Sequence, residues 1–385
     1  MAATPATLNT LLRHPYVLGV ISRLKPAGTA FQQFYNMGAA SVSTEPANIN
    51  RHVVYDIFDH TRTNAQGRSP MVGPSRIPAK PIGQAHATAM RMYESITFPY
   101  EKVYSIRQLG GQPGPLDARG QSWVMRQMGY MAERMANSIE FMISRMFRGG
   151  FSITIDGDNW TLGELGAGTV DVPYQIPATN KTDLDGIIDA EWDLAGTKII
   201  DHMLEVNKRS QLLTGYEIKH VWINSTTYKY MLANTQLQAV RGTAMRVFDQ
   251  FAPNNVSTAD GGSRSIGFNV MFPAMPQFMF HVYDGTSVVS SQTDPAANTT
   301  STDSYYVPDG VAIMTPEAEL GGWHGMYHGA EPIRENDEDE STLKEGLASW
   351  TKRMNDPPGE ELRVLHNLVP LLYNPKSVFY ATVWS

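Results

Sequence analysis

The chain has 385 residues, 42% hydrophobic and only 18% charged, with 32 Gly, 24 Pro and no Cys. Such content excludes a coiled coil and a mostly disordered chain, and no apolar run is long enough for a membrane-spanning helix. Without Cys there is no disulfide framework and no thiolate metal site, which suits a reducing cytoplasm.

The net charge of −7 is unevenly spread. Residues 1–93 hold nine Lys or Arg against three acids, and residues 317–361 hold twelve acids against four bases. Opposite charge at two ends of one chain fits copies of that chain meeting each other; it also fits two solvated faces that never meet. The opening MAATPATLNT lacks a basic stretch followed by an apolar one, so no cleaved signal is expected.

Residues 1–50 carry Pro5, Pro15, Pro26 and Pro46 between short apolar clusters, and read as an arm with no core of its own. Residues 51–58 alternate as a strand, with Val53, Tyr55 and Ile57 against Val54, Asp56 and Phe58; residues 86–98 read as a second strand. The Gly- and Pro-rich connection over 60–85 carries Arg62, Arg68, Arg76 and Lys80, with no acid from His60 to Tyr93. Hairpin loops usually span about two to five residues, so this one is either a flexible tip or a flap reaching over a neighbouring subunit.

From Arg119 to Arg148 there is no Pro, and Val124, Met128, Met131, Met135, Ile139, Met142 and Met146 form one helical stripe. Arg119, Arg126, Glu133 and Glu140 recur every seven residues on a second, polar face. Asp117 can cap this helix and Gly149-Gly150 can stop it, giving a rod about 45 Å long that packs on a sheet. Phe151–Ile155 and Trp160–Leu162 flank Asp156-Gly157-Asp158-Asn159, a hairpin signal.

Residues 183–209 predict a second helix, capped by Thr182 or Asp183, with Leu184, Ile188, Trp192, Ala195, Ile199, Met203 and Val206 on one face. A strand over Ile218–Ile223 and a helix from Ser225 to about Val240 follow. Residues 253–264 and 284–304 read as polar loops. Further strands are expected at Ile266–Phe272, Phe278–Tyr283, Tyr305–Val307, Val311–Met314 and Ser377–Trp384, the last apolar on both faces and so buried. The order is that of an α+β fold in which the long helix and the final strand share a core.

Catalytic signatures are absent: there is no P-loop, H-E-x-x-H, G-x-S-x-G or EF-hand pattern. The glycines at 163, 166 and 168 match no phosphate-binding pattern. His324 and His328, four apart in GGWHGMYHG, would share a face on a helix, but the surrounding glycines oppose a helix. Glu335, Asp337, Glu338, Asp339 and Glu340 follow and offer hard oxygen ligands, although such a run is usually a solvated loop. A metal-dependent hydrolase built on His324, His328 and these carboxylates is the enzymatic alternative. The 62–91 stretch has no aromatic residue to read a base, so sequence-specific DNA binding is not expected.

The element order resembles the tailed-phage major capsid proteins of the Hong Kong 97 fold, and in detail the lambda-type family, phage major capsid protein E. Carrying the resemblance are Glu101-Lys102-Val103-Tyr104 before the long helix, the helix itself, and Tyr306-Val307-Pro308-Asp309-Gly310-Val311. Pro370-Leu371-Leu372-Tyr373-Asn374-Pro375 followed by Val378–Val383 belongs to the same pattern. The resemblance implies an N-terminal arm over 1–50 and an extended loop over 51–100. It implies a peripheral domain over 101–182 and 321–385, with its spine helix at 118–148, and an axial domain over 183–320.

It further implies assembly through pentamers and hexamers into an icosahedral phage head. Scaffolding protein, portal, a decoration protein and non-specifically held double-stranded DNA are the implied partners, and no cofactor, metal or membrane is implied. Arg62, Arg68, Arg76 and Lys80 are then expected over acidic surface of an adjacent copy, including Glu335, Asp337, Glu338, Asp339 and Glu340. A bacterial encapsulin shell is the alternative within the same fold.

Overall fold

The computed structural model describes residues 8, 12, 17, 19, 29–39, 41–49, 51–58, 83–105, 118–157, 159–243, 252–257, 263–270, 272, 275–287, 304–318, 322–334 and 341–384. The first element described over a continuous range is a short helix, α1 (Ala30–Tyr35), closed by Asn36 in the left-handed conformation. Strand β1 (His52–Ile57) pairs antiparallel with β2 (Gly83–Thr88), Val53 facing Ala87 and Tyr55 facing Ala85. Those four side chains are buried, so the alternation read from the sequence sets the face.

The 86–98 strand is really two. After β2 the chain kinks at Ala89 and continues as β3 (Met90–Pro99), which joins a different sheet. Helix α2 (Tyr100–Ser105) leads toward the spine helix, α3 (Ala118–Arg148). All seven residues of the predicted stripe, from Val124 to Met146, are buried on it. The stop is as expected: Gly149 and Gly150 have φ of 108° and 144°, and a Cβ on Gly150 would meet the Val172 carbonyl at 2.6 Å. Asp117, the expected cap, lies outside the described residues.

The hairpin β4 (Gly150–Asp156) and β5 (Asn159–Glu164) turns at the predicted position, and β6 (Val170–Pro173) completes a three-stranded sheet. Strand β7 (Lys181–Thr182) follows. The predicted helix over 183–209 is only half there. Its second half is α4 (Ile199–Thr214), whereas Thr182, Leu184, Asp185 and Gly186 have φ between 54° and 82°, which no right-handed helix can hold. Neither Thr182 nor Asp183 caps a helix. The apolar spacing nevertheless marks core residues, because Leu184 and Trp192 reach the interior through turns and are fully buried.

Strand β8 (Ile218–Ile223) is followed by α5 (Ser225–Ala233), capped by the Asn224 side chain, and α6 (Thr235–Thr243), where one longer helix was expected. Next come β9 (Ala252–Ser257), within the expected 253–264 loop, β10 (Ser263–Val270) and β11 (Met279–Tyr283). A two-residue pair, β12 (Thr286–Ser287) and β13 (Ser304–Tyr305), closes the base of the 284–304 loop. Then follow β14 (Val311–Pro316), β15 (His324–His328), β16 (Ala330–Arg334), β17 (Ser341–Glu345), β18 (Leu347–Asn355), β19 (Pro358–Leu372) and β20 (Phe379–Thr382). The whole β15 to β19 block is missing from the sequence reading.

Among the described residues two larger sheets result. One is β15-β19-β18 with β3 along the other side of β19; the second runs β7-β20-β14-β8-β11-β10-β9. The first packs with α3 around a core that includes Met142, Phe147, Leu362 and Leu368. The second encloses Trp192, Met203, Ile223 and Phe280. The closing strand serves both, with Val378 in the spine-helix core and Phe379, Ala381 and Val383 in the other. It therefore meets the spine helix as expected, but its hydrogen bonds belong to the seven-stranded sheet.

Candidate assembly site

The predicted contact residues Arg62, Arg68, Arg76 and Lys80 lie outside the described residues, as do Glu335, Asp337, Glu338, Asp339 and Glu340. What the structure describes is how both segments are rooted. The basic segment springs from the β1–β2 hairpin. Tyr55 packs edge-on against Tyr373 at 5.7 Å, and the Phe58 amide donates to the Tyr373 carbonyl at 2.9 Å. Arg51 lies over the Trp160 ring at 4.8 Å. Phe58 packs on the same Tyr373 ring at 6.1 Å, and it and Val54 are about half exposed.

The acidic segment springs from the β16–β17 hairpin. Glu331 there pairs with Arg91 of β3 at 3.2 Å and accepts from Asn367 at 2.7 Å. Each charged run thus starts from a hairpin tied to the spine-helix body.

Residues 29–39 and 41–49 form a strap whose Phe31, Tyr35 and Met37 belong to the spine-helix core and which also touches β8, β11 and β14 of the seven-stranded sheet. Glu140 of α3 seats its first turn: one oxygen accepts from the Phe31 amide at 2.7 Å, the other from the Gln32 amide at 3.0 Å. The Tyr283 hydroxyl of β11 donates to the same carboxylate at 3.0 Å. Full burial pushes the Glu140 carboxyl up to about 7, against the pull of those four donors, Gln32 Nε2 included. This overturns the expected polar face. Arg119 and Arg126 are exposed and Glu133 half-buried, but Glu140 is wholly buried because α1 covers that side of the helix. The signal was present in Ile139–Phe147, where only Glu140, Ser144 and Arg145 interrupt an otherwise apolar run.

Aromatic packing fixes the same turn. Phe31 sits 4.5 Å from Trp222 and 5.7 Å from Phe147, and Tyr35 bonds both Thr315 and the Trp222 indole. Phe34 covers the hydrogen-bonded pair His220 and His281, whose ring nitrogens are 3.0 Å apart. Burial lowers both of these imidazoles, with the Glu317 carboxylate opposing at His220.

Beyond α1 the strap turns polar. Its Ser41 hydroxyl meets His328 Nε2 at 3.0 Å, Thr44 bonds the Met326 carbonyl, and Asn48 bonds Tyr327 and Ala330.

His324 and His328 lie on strand β15, not on a helix. Four residues along a strand separate them by about 13 Å, too far to share one ion. His324 contacts the Tyr35 carbonyl at 3.3 Å, and His328 Nδ1 bonds His366 Nε2 at 2.9 Å. Among the described residues no three His, Asp or Glu side chains gather closely enough to hold a metal. At the glycine-rich turn, the Gly166 amide is taken by Ser152 and Asp171, so it points into the fold. The geometry is that of an internal joint at the strap, beside two hairpins from which the charged runs spring.

Comparison with known proteins places the chain in a family. The family model described as phage major capsid protein E matches residues 35–383. The structure described as the capsid protein of a prophage of Escherichia coli CFT073 is similar at TM-score 0.53 and 11% identity, covering 99% of this chain and 100% of that one. The capsid of cyanophage P-SCSP1u is similar at TM-score 0.41 and 13% identity, covering 93% and 88%. An encapsulin complex from Synechococcus elongatus PCC 7942 is similar at 0.34 and 11%, covering 88% and 84%. No curated protein matches the sequence.

Proposed function

The chain belongs to the phage major capsid protein E family and is a capsid shell protein of the Hong Kong 97 type, and from that premise we propose how it builds the shell. Copies associate through pentamers and hexamers into an icosahedral head around double-stranded DNA. The α3 helix with the β15-β19-β18 sheet is the peripheral domain, the seven-stranded sheet with α4 to α6 the axial one, and residues 51–100 the extended loop. Assembly starts on scaffolding protein around a portal in the host cytoplasm, and the finished shell resides in the virion, where a decoration protein can bind outside.

The observation that carries this reading is the family match across nearly the whole chain, which includes both charged segments and most of the strap that precedes them. Physically, each subunit needs only modest contacts. Rings of identical interfaces close on themselves, and many weak contacts add up to a stable shell. Basic residues 62–80 of one copy lie over acidic surface of the next, within 331–345. Arg62→Glu together with Arg76→Glu is expected to cut shell yield at least tenfold, with an unchanged circular dichroism spectrum. Undiminished shell yield contradicts the assignment.

A further inference from the structure

The second half of the strap is held differently from the first. Residues 30–37 bury Phe31, Tyr35 and Met37, whereas residues 41–49 are half-buried or exposed and attach through polar contacts to β15, β16 and β19. At the centre of those contacts is a chain of hydrogen bonds whose polarity can be assigned. The Ser41 hydroxyl donates to the Gly38 carbonyl at 2.7 Å, so it accepts from His328 Nε2. With its proton on Nε2, His328 Nδ1 must accept from His366 Nε2. That leaves His366 Nδ1 bare; it is fully buried and has no hydrogen-bond partner.

The arrangement therefore has no place for a further proton. On His366 Nδ1 it makes a buried N–H with no acceptor; on His328 Nδ1 it faces the N–H of His366 across 2.9 Å. The second is relieved if the cover over His328 lifts, so that its ring can turn its N–H to water, and the added proton then settles there. That cover is Ser41 and Ser43, whose hydroxyl accepts from the His328 amide at 3.1 Å.

We propose that acidification unlatches residues 41–48 from β15 through the His328–His366 pair, while α1 stays seated and both large sheets stay folded. Since residue 49 leads directly into β1, unlatching also loosens the root of the 59–82 segment. The inference concerns a single chain and does not depend on the shell reading.

The charged surroundings agree in sign. Burial holds His328 down to about 4, and His366 well below its ordinary value with the neighbouring His328 adding to the effect. Groups lowered in the folded state stabilise it fully above their unfolded value of about 6.5, and that stability drains as pH falls toward 4. His366 faces Met92 and Leu347 across its strand, neither of them charged. On the strap Glu45 is bonded to the Tyr373 hydroxyl at 2.9 Å, and on β16 Glu331 accepts from Asn367, beside His366, at 2.7 Å. His324, also held down to about 4, contacts the Tyr35 carbonyl and adds to the same drift. Glu140 opposes it, being raised to about 7, but it acts on α1 and not on residues 41–48. Acid therefore acts on the latch in one direction only, whereas at α1 the raised Glu140 offsets the lowered His220 and His281 under Phe34 and His324 at Tyr35.

Amide hydrogen exchange on the full chain tests this. The reporters are the amides of Thr44 and Ala330, which donate to Met326 and Asn48 across the latch. Between pH 7 and pH 4.5, after correction for intrinsic exchange, they are expected to lose protection at least tenfold, while β8, β19 and the Phe31 amide do not. His328→Gln, which keeps a donor toward Ser41, should remove most of that response. Ser41→Ala should expose the same amides already at pH 7, and serves where His328→Gln fails to fold. Equal loss across all segments, no loss at all, or an unchanged response in His328→Gln each overturns the proposal.

Discussion

The two ends of the spine helix obey different rules. Along its first two-thirds α3 is amphipathic: the Met stripe is buried, and Met125, Arg126, Tyr130, Arg134 and Asn137 face outward. From Ile139 to Phe147 every residue is buried, including a carboxylate and a guanidinium. The first stretch needs only a sheet beneath it. The second is enclosed by the strap, the seven-stranded sheet and the β4–β5 hairpin, so polar groups there have to find partners inside the protein. Glu140 finds the strap and Tyr283; Arg145 finds Glu164 at 2.5 Å, above a Phe141 ring at 4.7 Å. One continuous helix thus offers a surface at one end and an internal joint at the other.

The sharpest way to break this contrast is at the joint. Glu140→Ala leaves the Phe31 and Gln32 amides and the Tyr283 hydroxyl without their acceptor, and is expected to destabilise the subunit by about 3–5 kcal/mol in chemical denaturation. Glu140→Gln sharpens it through pH. Because the folded carboxyl titrates near 7 and the unfolded one near 4.5, its contribution is full below 4.5 and lost as pH rises to 7, at up to about 1.4 kcal/mol per pH unit. The difference in stability between wild type and Glu140→Gln should therefore slope across that window and be flat above it.

Glu164→Ala, which removes a half-exposed partner from a buried Arg145, should cost about 1–2 kcal/mol. At the other end of the helix, Tyr130→Ser should change subunit stability by no more than about 0.5 kcal/mol. A loss there comparable to Glu140→Ala would erase the distinction.

The legible parts of the fold are those where one physical rule dominates. The spine helix shows because a single-sided stripe needs only helical period, and its end shows because only glycine tolerates the φ values found at 149 and 150. The β1 and β4–β5 strands show through alternation and a turn signal. By contrast β19 is buried on both faces over most of its length, so PGEELRVLHNLVPLL has no alternation, and two prolines disguise it further. The 183–198 stretch misled in the opposite way, its apolar spacing serving turns that carry Leu184 and Trp192 inward.

The joint was hidden for a different reason. Glu140 looked like one member of a solvated heptad, and only the tertiary seat of α1 makes it a buried cap. The basic 62–80 run and the acidic 335–340 run were legible from composition alone. The structure describes only the hairpins from which they spring.

Electron microscopy of the purified full-length protein tests the central claim most directly. A subunit made to tile should appear as closed shells or as five- and six-membered rings. Uniform single particles of about 43 kDa at every concentration tried would contradict it.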